Sequence, residues 1–382
     1  MQSNAEASGW KTQAVLHPVF ALTGVAHVVG GAVMPSIAAT FHLSDSQSGT
    51  LFLLYFGGSA LGALLCRGNY VRDMWMGFAA MSVCGFGVGL APGWLLSAAF
   101  LLFGVSVGMA MSAVSLFVGR NIGEKRASVL TLLNFTWSSG ALLSPLFAGW
   151  ILESHSYRAV YFAIAWAAIP CALVCGLRLH DDEEREAINV ASGESTVPGL
   201  ILLFALAAFM QVGIENTAAA WLTTFTMRAA GSGIVMAAYA TSLYWIGFLA
   251  SRAISSLLLL KTDSDRMLRI CVAGALFGAV LLVAAPTILL RSAAMLILGA
   301  SLAPVYPLIL NGFFARAKRT GDSRWILATA GFGGSVLPWI AGWLSTNTGS
   351  LRTGMIVIPA ALLVLAAELP AMRGSGNVVH PS

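Results

Sequence analysis

The chain has 382 residues, of which 58% are hydrophobic and only 10% are charged, and its mean hydropathy is +0.81. Soluble domains carry about 25% charged residues, so this composition excludes an ordinary soluble globular protein. The net charge of +5 does not indicate nucleic-acid binding, because the basic residues fall in short loops and form no patch. The expected solvent is a lipid bilayer, in which each spanning helix needs about 20 mostly apolar residues.

Hydropathy along the chain predicts an all-α integral membrane protein. The first apolar segment is long and lacks a convincing cleavage site, so we interpret it as a helix and not as a signal peptide. Twelve transmembrane helices are predicted, over residues 14–38, 47–66, 73–91, 94–118, 128–152, 157–178, 199–227, 233–259, 267–286, 290–315, 323–346 and 351–371.

A long polar interruption divides these segments six against six. It runs from Arg178 to Gly199 and is charged at first, then rich in serine and glycine. It predicts an N-terminal six-helix bundle over residues 1–178, a cytoplasmic linker over 179–198 and a C-terminal six-helix bundle over 199–382.

Lysine and arginine are divided unequally between the two sides of the predicted helices. Sixteen lie in loops and tails on the side of the termini, against four on the opposite side, which are Arg158, Arg228, Arg291 and Arg352. Cytoplasmic loops carry such an excess of positive charge. We therefore expect a multi-pass protein of the cell (inner) membrane with both termini in the cytoplasm.

The two halves of the chain contain matching segments in the same order. Residues 20–41 align without a gap with residues 204–225, which places His27 opposite Gln211. The fifth and eleventh predicted helices also share a proline, a glycine and a tryptophan at the same spacing. Parallel repeats of this kind occur in secondary transporters, whose substrate site lies between the halves near the midplane.

Four segments of the second half carry a family resemblance: "GIENTAAAWLTTF" in helix seven, "YWIGFLASR" in helix eight, "GASLAPVYPLILN" in helix ten and "GFGGSVLPWIAGWL" in helix eleven. The chain resembles the major facilitator superfamily over essentially its whole length. Within it, the chain is most similar to the fucose-permease-like sugar symporters and their sodium–glucose relatives. The resemblance implies two pseudo-twofold-related six-helix bundles, alternating access and a monomer.

The sequence departs from this family pattern in two places. After helix two, the usual glycine, Asp-Arg and basic pattern is reduced to "CRGNYVRDMW", which keeps Arg67, Arg72 and Asp73. We expect Arg72 and Asp73 to have a gate or structural role. Helices one and four also lack the acidic residues that fucose permease uses in its N-terminal half, so any ion coupling must be organised differently.

Glu215 is the only carboxylate well inside a predicted helix. A charge at this depth costs about 2.5–3.5 kcal/mol on insertion scales, so Glu215 should face a cavity or a partner. We predict that it couples transport to an ion, with proton and sodium both open. The alternative is a contact between helices or at an outer gate. Gln211 lies one turn earlier on the same helix face.

The predicted substrate-binding residues are polar or aromatic and lie near midplane depth or in the cytoplasmic halves of their helices. Sugar faces pack on aromatic rings, and amides, imidazole or hydroxyls bond sugar hydroxyls. The alternatives are bundle filling for the rings and bonds between helices for the polar groups. The predicted set is His27, Tyr55, Asn134, Trp137, Gln211, Tyr244, Trp245, Tyr306 and Asn311.

Three further residues are predicted to act as gate or structural elements. Arg252 lies toward the cytoplasmic end of helix eight, with Asp263, Asp265 or helix-end carbonyls as expected partners. Pro145 and Pro338 allow bending that suits rocking of the two halves.

The sequence contains no nucleophile motif, zinc helix or phosphate-binding glycine loop, so we expect no enzyme and no cofactor other than a coupling ion. The leading hypothesis is a cation-coupled importer of a sugar or similar hydroxylated solute. A proton-coupled exporter of amphipathic compounds is the alternative, and a non-transporting membrane sensor is a third. The expected partners are a small-molecule substrate and the lipid bilayer, and not nucleic acid.

Overall fold

The computed structural model describes residues 2–66, 68–121, 126–179, 196–258, 262–319 and 322–372, and these are almost wholly helical. The first half contains α1 (Gln2–Phe41), α2 (Asp45–Leu64), α3 (Tyr70–Leu90), α4 (Leu96–Asn121), α5 (Arg126–Leu152) and α6 (Tyr157–Arg178). The second half contains α7 (Pro198–Ala230), α8 (Ile234–Leu258), α9 (Ser264–Ala284), α10 (Ile288–Leu302), α11 (Val305–Phe314), α12 (Ser323–Thr348), α13 (Leu351–Met355) and α14 (Val357–Glu368).

The helices form two bundles related by a pseudo-twofold axis. In the first half α1 packs on α5, α2 on α4, and α3 on both α4 and α6; in the second, α7 packs on α12 and α14, and α8 and α9 on α10. Between the halves, α2 lies against α12 and α5 against α8. The second span of each half thus meets the fifth span of the other half, which is the exchange that a twofold axis produces. The predicted all-α membrane fold is confirmed.

Eleven described helical segments are long and apolar enough to cross a membrane, against twelve predicted. The remaining predicted span is α2, whose first turn is the polar run Asp45–Ser48. Ser44 and Gln47 form a capping box at the start of α2. The Ser44 hydroxyl accepts from the backbone N–H of Gln47, and the Gln47 side-chain oxygen accepts from the backbone N–H of Ser44. A capped polar turn lowers the mean hydropathy of a helix without shortening it.

Two predicted helices are broken where the sequence analysis has them continuous. The predicted span 290–315 ends as α10 at Leu302 and restarts as α11 after Pro304. The predicted span 351–371 is interrupted at Ile356, between α13 and α14, three residues before Pro359. Proline has no N–H and clashes with the preceding turn, which explains both breaks. The predicted linker 179–198 lies mostly outside the described residues.

The proline inside α12 creates a polar defect that α7 repairs. Pro338 has no N–H to give to the carbonyl of Gly334, four residues earlier. The Asn216 amide of α7 donates to this carbonyl over 3.1 Å, and the Trp221 indole donates to the carbonyl of Pro338 itself over 2.8 Å. Both side chains are buried. Because the bilayer core offers no water to such carbonyls, these bonds fix α7 against α12.

Consecutive spans run in opposite directions, so alternate helix ends collect on two faces. We call the face where α1, α3, α5 and α7 begin the near end, and the face where α2, α4, α6 and α8 begin the far end.

The two halves are closed against each other at the far end. Arg228 of α7 forms two 2.7 Å bonds with the Asp45 carboxylate of α2, and Ser345 of α12 donates to the same carboxylate. Tyr239 of α8 donates to Glu153, which follows α5, over 2.9 Å. These contacts join helices of opposite halves, so they must break for the far end to open.

Close helix packing adds to this closure. A Cβ atom at Gly31 of α1 would overlap the carbonyl oxygen of Ala219 in α7. A Cβ atom at Gly342 of α12 would overlap the carbonyl oxygen of Asp45. Glycine at these two positions therefore lets the halves approach to backbone contact.

We predict that Asn216→Leu destabilises the protein by about 1–3 kcal/mol, because it leaves the Gly334 carbonyl buried without a donor. In a Pro338→Ala background the penalty should shrink, because residue 338 then supplies the missing N–H. Melting temperatures of wild type, Asn216→Leu, Pro338→Ala and the double variant measure the energetic coupling between residues 216 and 338. Asn134→Leu is the control, since the exposed Asn134 amide bonds only its own helix at Leu130. An equal Asn216→Leu penalty in both backgrounds would contradict this account.

We also predict that Asp45→Asn raises the population open at the far end by roughly fivefold, because a partly exposed ion pair contributes about 1 kcal/mol. Spin-label distances between the far ends of α2 and α12 measure this population. The charge swap Asp45→Arg with Arg228→Asp should restore closure. Arg158→Gln, at an exposed far-end arginine within the first half, should change nothing. Unchanged distances in Asp45→Asn would show that the pair does not hold the closed state.

Candidate functional site between the two bundles

A continuous line of rings crosses from one bundle to the other at the centre of the molecule. The His27 ring of α1 lies 5.7 Å from Trp137 of α5, and Trp137 lies 6.1 Å edge-on from Trp245 of α8. Trp245 in turn contacts Tyr244 at 5.0 Å. Four of the predicted substrate-binding residues are thus brought together from three helices of both halves.

Each member of this line has a buried polar atom with no hydrogen-bond partner among the described residues. These atoms are Nδ1 of His27, Nε1 of Trp137, the hydroxyl of Tyr244 and Nε1 of Trp245. Native structures pair nearly all buried polar groups, because an unpaired one costs about 1–3 kcal/mol. Four unpaired groups in one line are the arrangement expected of a site for a ligand with several hydroxyls.

The side chains around His27 fix its ring on two sides. Tyr55 and Phe56 of α2 lie 6.2 Å and 5.3 Å away, and the Asn216 side chain of α7 is within hydrogen-bonding reach of the imidazole. The Tyr55 hydroxyl itself donates to the carbonyl of Ala26 over 2.7 Å. Tyr55 was predicted to bind substrate, but its hydroxyl is already bonded to the backbone, so it contributes a ring surface.

Glu215 is half-buried beside this line. It belongs to neither of the ion pairs described, Arg72–Asp73 and Arg228–Asp45. Its charge interacts with that of Arg252 in α8, and the same carboxylate acts on the hydroxyls of Tyr244 and Tyr306. The predicted coupling residue therefore lies within electrostatic reach of three other predicted site residues, Arg252, Tyr244 and Tyr306.

Arg252 connects α8 to α5 across the interface between the halves. Its Nη1 donates to the Ser138 hydroxyl over 2.8 Å and to the Asn134 carbonyl over 3.2 Å. Its guanidinium lies 4.7 Å from the Phe248 ring and 5.8 Å from Trp137. The guanidinium is thus held over aromatic faces within electrostatic reach of Glu215.

The expectation that Arg252 pairs with Asp263 or Asp265 is wrong. Asp263 accepts from the Arg266 backbone and caps the start of α9, and Arg252 pairs with neither Asp263 nor Asp265 in the described part of the chain. A carboxylate at a helix start is held by free backbone N–H groups. Arg252 does bond a backbone carbonyl, but this carbonyl belongs to Asn134 inside α5 and not to a helix end as expected.

Gln211 has a structural partner that the sequence did not indicate. It is fully buried, and its Nε2 donates to the carbonyl of Leu302, the last residue of α10. The last carbonyls of a helix lack intrahelical partners, so this bond closes the break before Pro304. Its Oε1 remains unpaired. The site contribution of Gln211 is therefore limited to this one oxygen.

The remaining predicted residues lie away from the centre. Asn134 and Asn311 are exposed in the near-end halves of α5 and α11. Arg72 pairs with the buried Asp73 at the near end of α3 over 3.1 Å. Pro145 lies within α5, next to Ser144, whose hydroxyl donates to the Val25 carbonyl of α1.

Two residues of the site were not predicted. Ser138 adjoins Trp137, and Phe248 lies one turn before Arg252 on α8, where an i, i+4 pair must meet. The helical spacing could have identified Phe248. The approach of Ser138 depends on how α5 and α8 pack, which no local pattern contains.

Comparisons with known proteins agree with this architecture. Residues 16–323 match the family model described as Major Facilitator Superfamily. The glucose/mannose transporter GlcP of Bacillus subtilis (strain 168) is 22% identical over 373 residues, which cover 90% of this chain and 91% of that relative. The predicted resemblance to the superfamily and its sugar-transporting members is confirmed.

Two solved structures are similar across nearly their whole length. A D-xylose-proton symporter has a TM-score of 0.80 at 13% identity, covering 94% of this chain and 97% of the other. A variant of the E. coli fucose:proton symporter FucP has a TM-score of 0.63 at 16% identity, covering 95% and 99%. At these identities the two structures share their fold with this chain.

Proposed function

Since the chain belongs to the Major Facilitator Superfamily, we propose that it carries a sugar or a similar hydroxylated solute across the inner membrane by cation-coupled alternating access. Supporting this substrate class, the relative GlcP is a glucose/mannose transporter, and two proteins of the same fold are proton symporters of xylose and fucose. Parallel repeats with a site between them near the midplane are typical of this mechanism.

The observation that carries the proposal is the line of four unpaired buried polar atoms on His27, Trp137, Tyr244 and Trp245. Three of these groups are N–H or O–H donors by their chemistry, and the imidazole can donate or accept. A sugar presents hydroxyls that both donate and accept, together with apolar ring faces that pack on aromatic rings. An amphipathic cation would cover the rings but leave these polar atoms unpaired.

The orientation in the membrane follows from the charge distribution. In the sequence, sixteen lysines and arginines fall in the predicted loops and tails on the side of the termini and four on the opposite side, so we assign the near end, where α1 begins, to the cytoplasm. Far-end closure by Asp45 and Arg228 then corresponds to a conformation sealed toward the outside. The exposed amides of Asn134 and Asn311 belong to the route toward the cytoplasm.

Glu215 is the group to which we assign ion coupling. It is half-buried next to the line of rings, and Arg252 is its charged neighbour. A proton or a sodium ion bound by Glu215 would compete with Arg252 for the carboxylate. Because Arg252 also bonds α5, such competition would change how firmly the halves are held together.

Sugar binding is tested by a thermal-shift screen of the purified protein with sugars, polyols and amphipathic cations, since a ligand of the folded state raises the melting temperature. We expect a sugar to stabilise the protein, and Trp137→Phe to weaken its apparent affinity about tenfold by removing one ligand hydrogen bond.

The matched control is Trp221→Phe. The Trp221 indole donates to Pro338, so this change should lower stability and leave the sugar affinity unchanged. Stabilisation by amphipathic cations alone would reject the sugar proposal. Equal sugar affinity in wild type and Trp137→Phe would show that the line of rings is not part of the sugar site.

Coupling is tested with protein in liposomes under an imposed proton or sodium gradient. We expect Glu215→Gln to reduce gradient-driven sugar accumulation at least tenfold, because the amide no longer binds the ion, while exchange of sugar across the membrane continues. The gradient that drives wild-type uptake identifies the ion. Glu368→Gln, a change at a buried carboxylate of α14, should leave accumulation intact. Accumulation that persists in Glu215→Gln would exclude Glu215 as the coupling group.

A further inference from the structure

A buried arginine at the far end of the second bundle has no carboxylate partner in the described part of the chain. Arg291 lies in the first turn of α10 and is only 1% exposed. Its Nε and Nη1 are buried without hydrogen bonds to any described residue. A guanidinium that loses water without gaining an acceptor is destabilising, and more so than a neutral group.

The surroundings of Arg291 are electropositive. Arg352 of α13 acts on Arg291 with a like charge. The N-terminus of α10 adds the partial positive charge of a helix start. The centre of the Phe225 ring of α7 lies 5.7 Å from the guanidinium carbon of Arg291. The ring covers part of the guanidinium but carries no negative charge that would neutralise it.

The far-end carboxylates in the described ranges are engaged elsewhere. Asp45 binds Arg228 and Ser345, and Glu153 accepts from Tyr239. Neither is paired with Arg291. Two arginines and a helix start therefore share a neighbourhood to which no described carboxylate contributes a negative charge.

We propose that Arg291 and Arg352 form a binding site for a phosphate-type oxyanion. Guanidinium groups match the geometry of phosphate oxygens, and a bound oxyanion would supply acceptors for the open nitrogens of Arg291 and offset its repulsion from Arg352. This site is distinct from the central line of rings and does not depend on the transported substrate.

The anion has two possible sources with the same chemistry, a phospholipid headgroup and free inorganic phosphate. The turn that carries Arg291 also exposes Ile288, Leu289 and Leu290, and the side chain of Leu289 is 77% exposed. Exposed apolar side chains on a spanning helix contact the acyl chains of the lipid. A headgroup with its acyl chains along α10 would satisfy both features.

The test measures the melting temperature of the full purified chain in neutral detergent at fixed ionic strength. The probes are inorganic phosphate, phosphatidylglycerol added to the micelles, and diacylglycerol as the lipid without phosphate. We expect saturable stabilisation by phosphatidylglycerol or phosphate and none by diacylglycerol. A response to phosphatidylglycerol alone identifies the headgroup, and a response to phosphate identifies the free anion.

Three variants separate this site from general charge effects. Arg291→Gln should abolish the stabilisation, and Arg352→Gln should weaken the apparent affinity about tenfold. Arg158→Gln, a change at an exposed arginine of the same end in the other bundle, should retain it. If Arg291→Gln does not fold, Arg352→Gln still tests the proposal, because Arg352 is exposed and its substitution should not disturb folding. Absent stabilisation, or equal stabilisation in wild type and Arg352→Gln, would overturn the proposal.

Discussion

The structure depends on one constraint: inside a bilayer, every backbone carbonyl that loses its helical N–H must find another donor within the protein. At two proline sites of the second bundle, the break before Pro304 and Pro338 inside the continuous α12, α7 supplies a side-chain donor. Gln211 donates to Leu302 at the first site, and Asn216 donates to Gly334 at the second. The polar side chains Gln211 and Asn216 of this apolar helix are thus structural, and they bond α7 to the end of α10 and to α12.

Glu215 differs from the other polar residues of α7 named above, because it cannot supply a donor to a backbone carbonyl when it is ionised. Its neighbour Asn216 serves the backbone of α12, whereas Glu215 has an arginine and two tyrosine hydroxyls as its electrostatic neighbours. A carboxylate cannot donate to a carbonyl unless it is protonated, so it would be a poor repair group for a broken helix. Its position inside the bundle with Arg252 as its charged neighbour fits the rule that charges within spanning helices face the protein interior or a partner and not lipid.

Much of the fold could be predicted from the sequence because the signals are local and strong. Segment length and hydropathy gave the spans, and the matching halves gave the two bundles. The break in the tenth span was missed, although Pro304 and Pro307 are visible in the sequence, because membrane helices often tolerate proline. The partner that bonds the Leu302 carbonyl at this break is Gln211, which is 91 positions away along the chain and therefore not visible in the local sequence.

For the candidate site, the sequence predicted the depth of the residues but not their hydrogen-bond partners, because partners come from other helices. Depth along a helix identified His27, Trp137, Tyr244 and Trp245, because midplane position follows from counting residues. Partner identity did not follow from counting. Tyr55 and Gln211 have the depth of site residues, yet each bonds a backbone carbonyl of a neighbouring helix. Arg252 finds Ser138 and Asn134 across the bundle interface, which sequence spacing on α8 alone could not reveal.

If the unpaired groups at the centre bind the substrate as proposed, their division between the bundles would connect binding to movement. Trp137 belongs to the first bundle and Trp245 to the second, and their rings lie 6.1 Å apart in a state closed at the far end. A ligand that bonds both indoles would gain most where the bundles keep the two rings close together, and less where they separate. A ligand can shift a conformational equilibrium only by its difference in affinity between states. Hydrogen-bond donors divided between the halves supply that difference, and donors confined to one half would not.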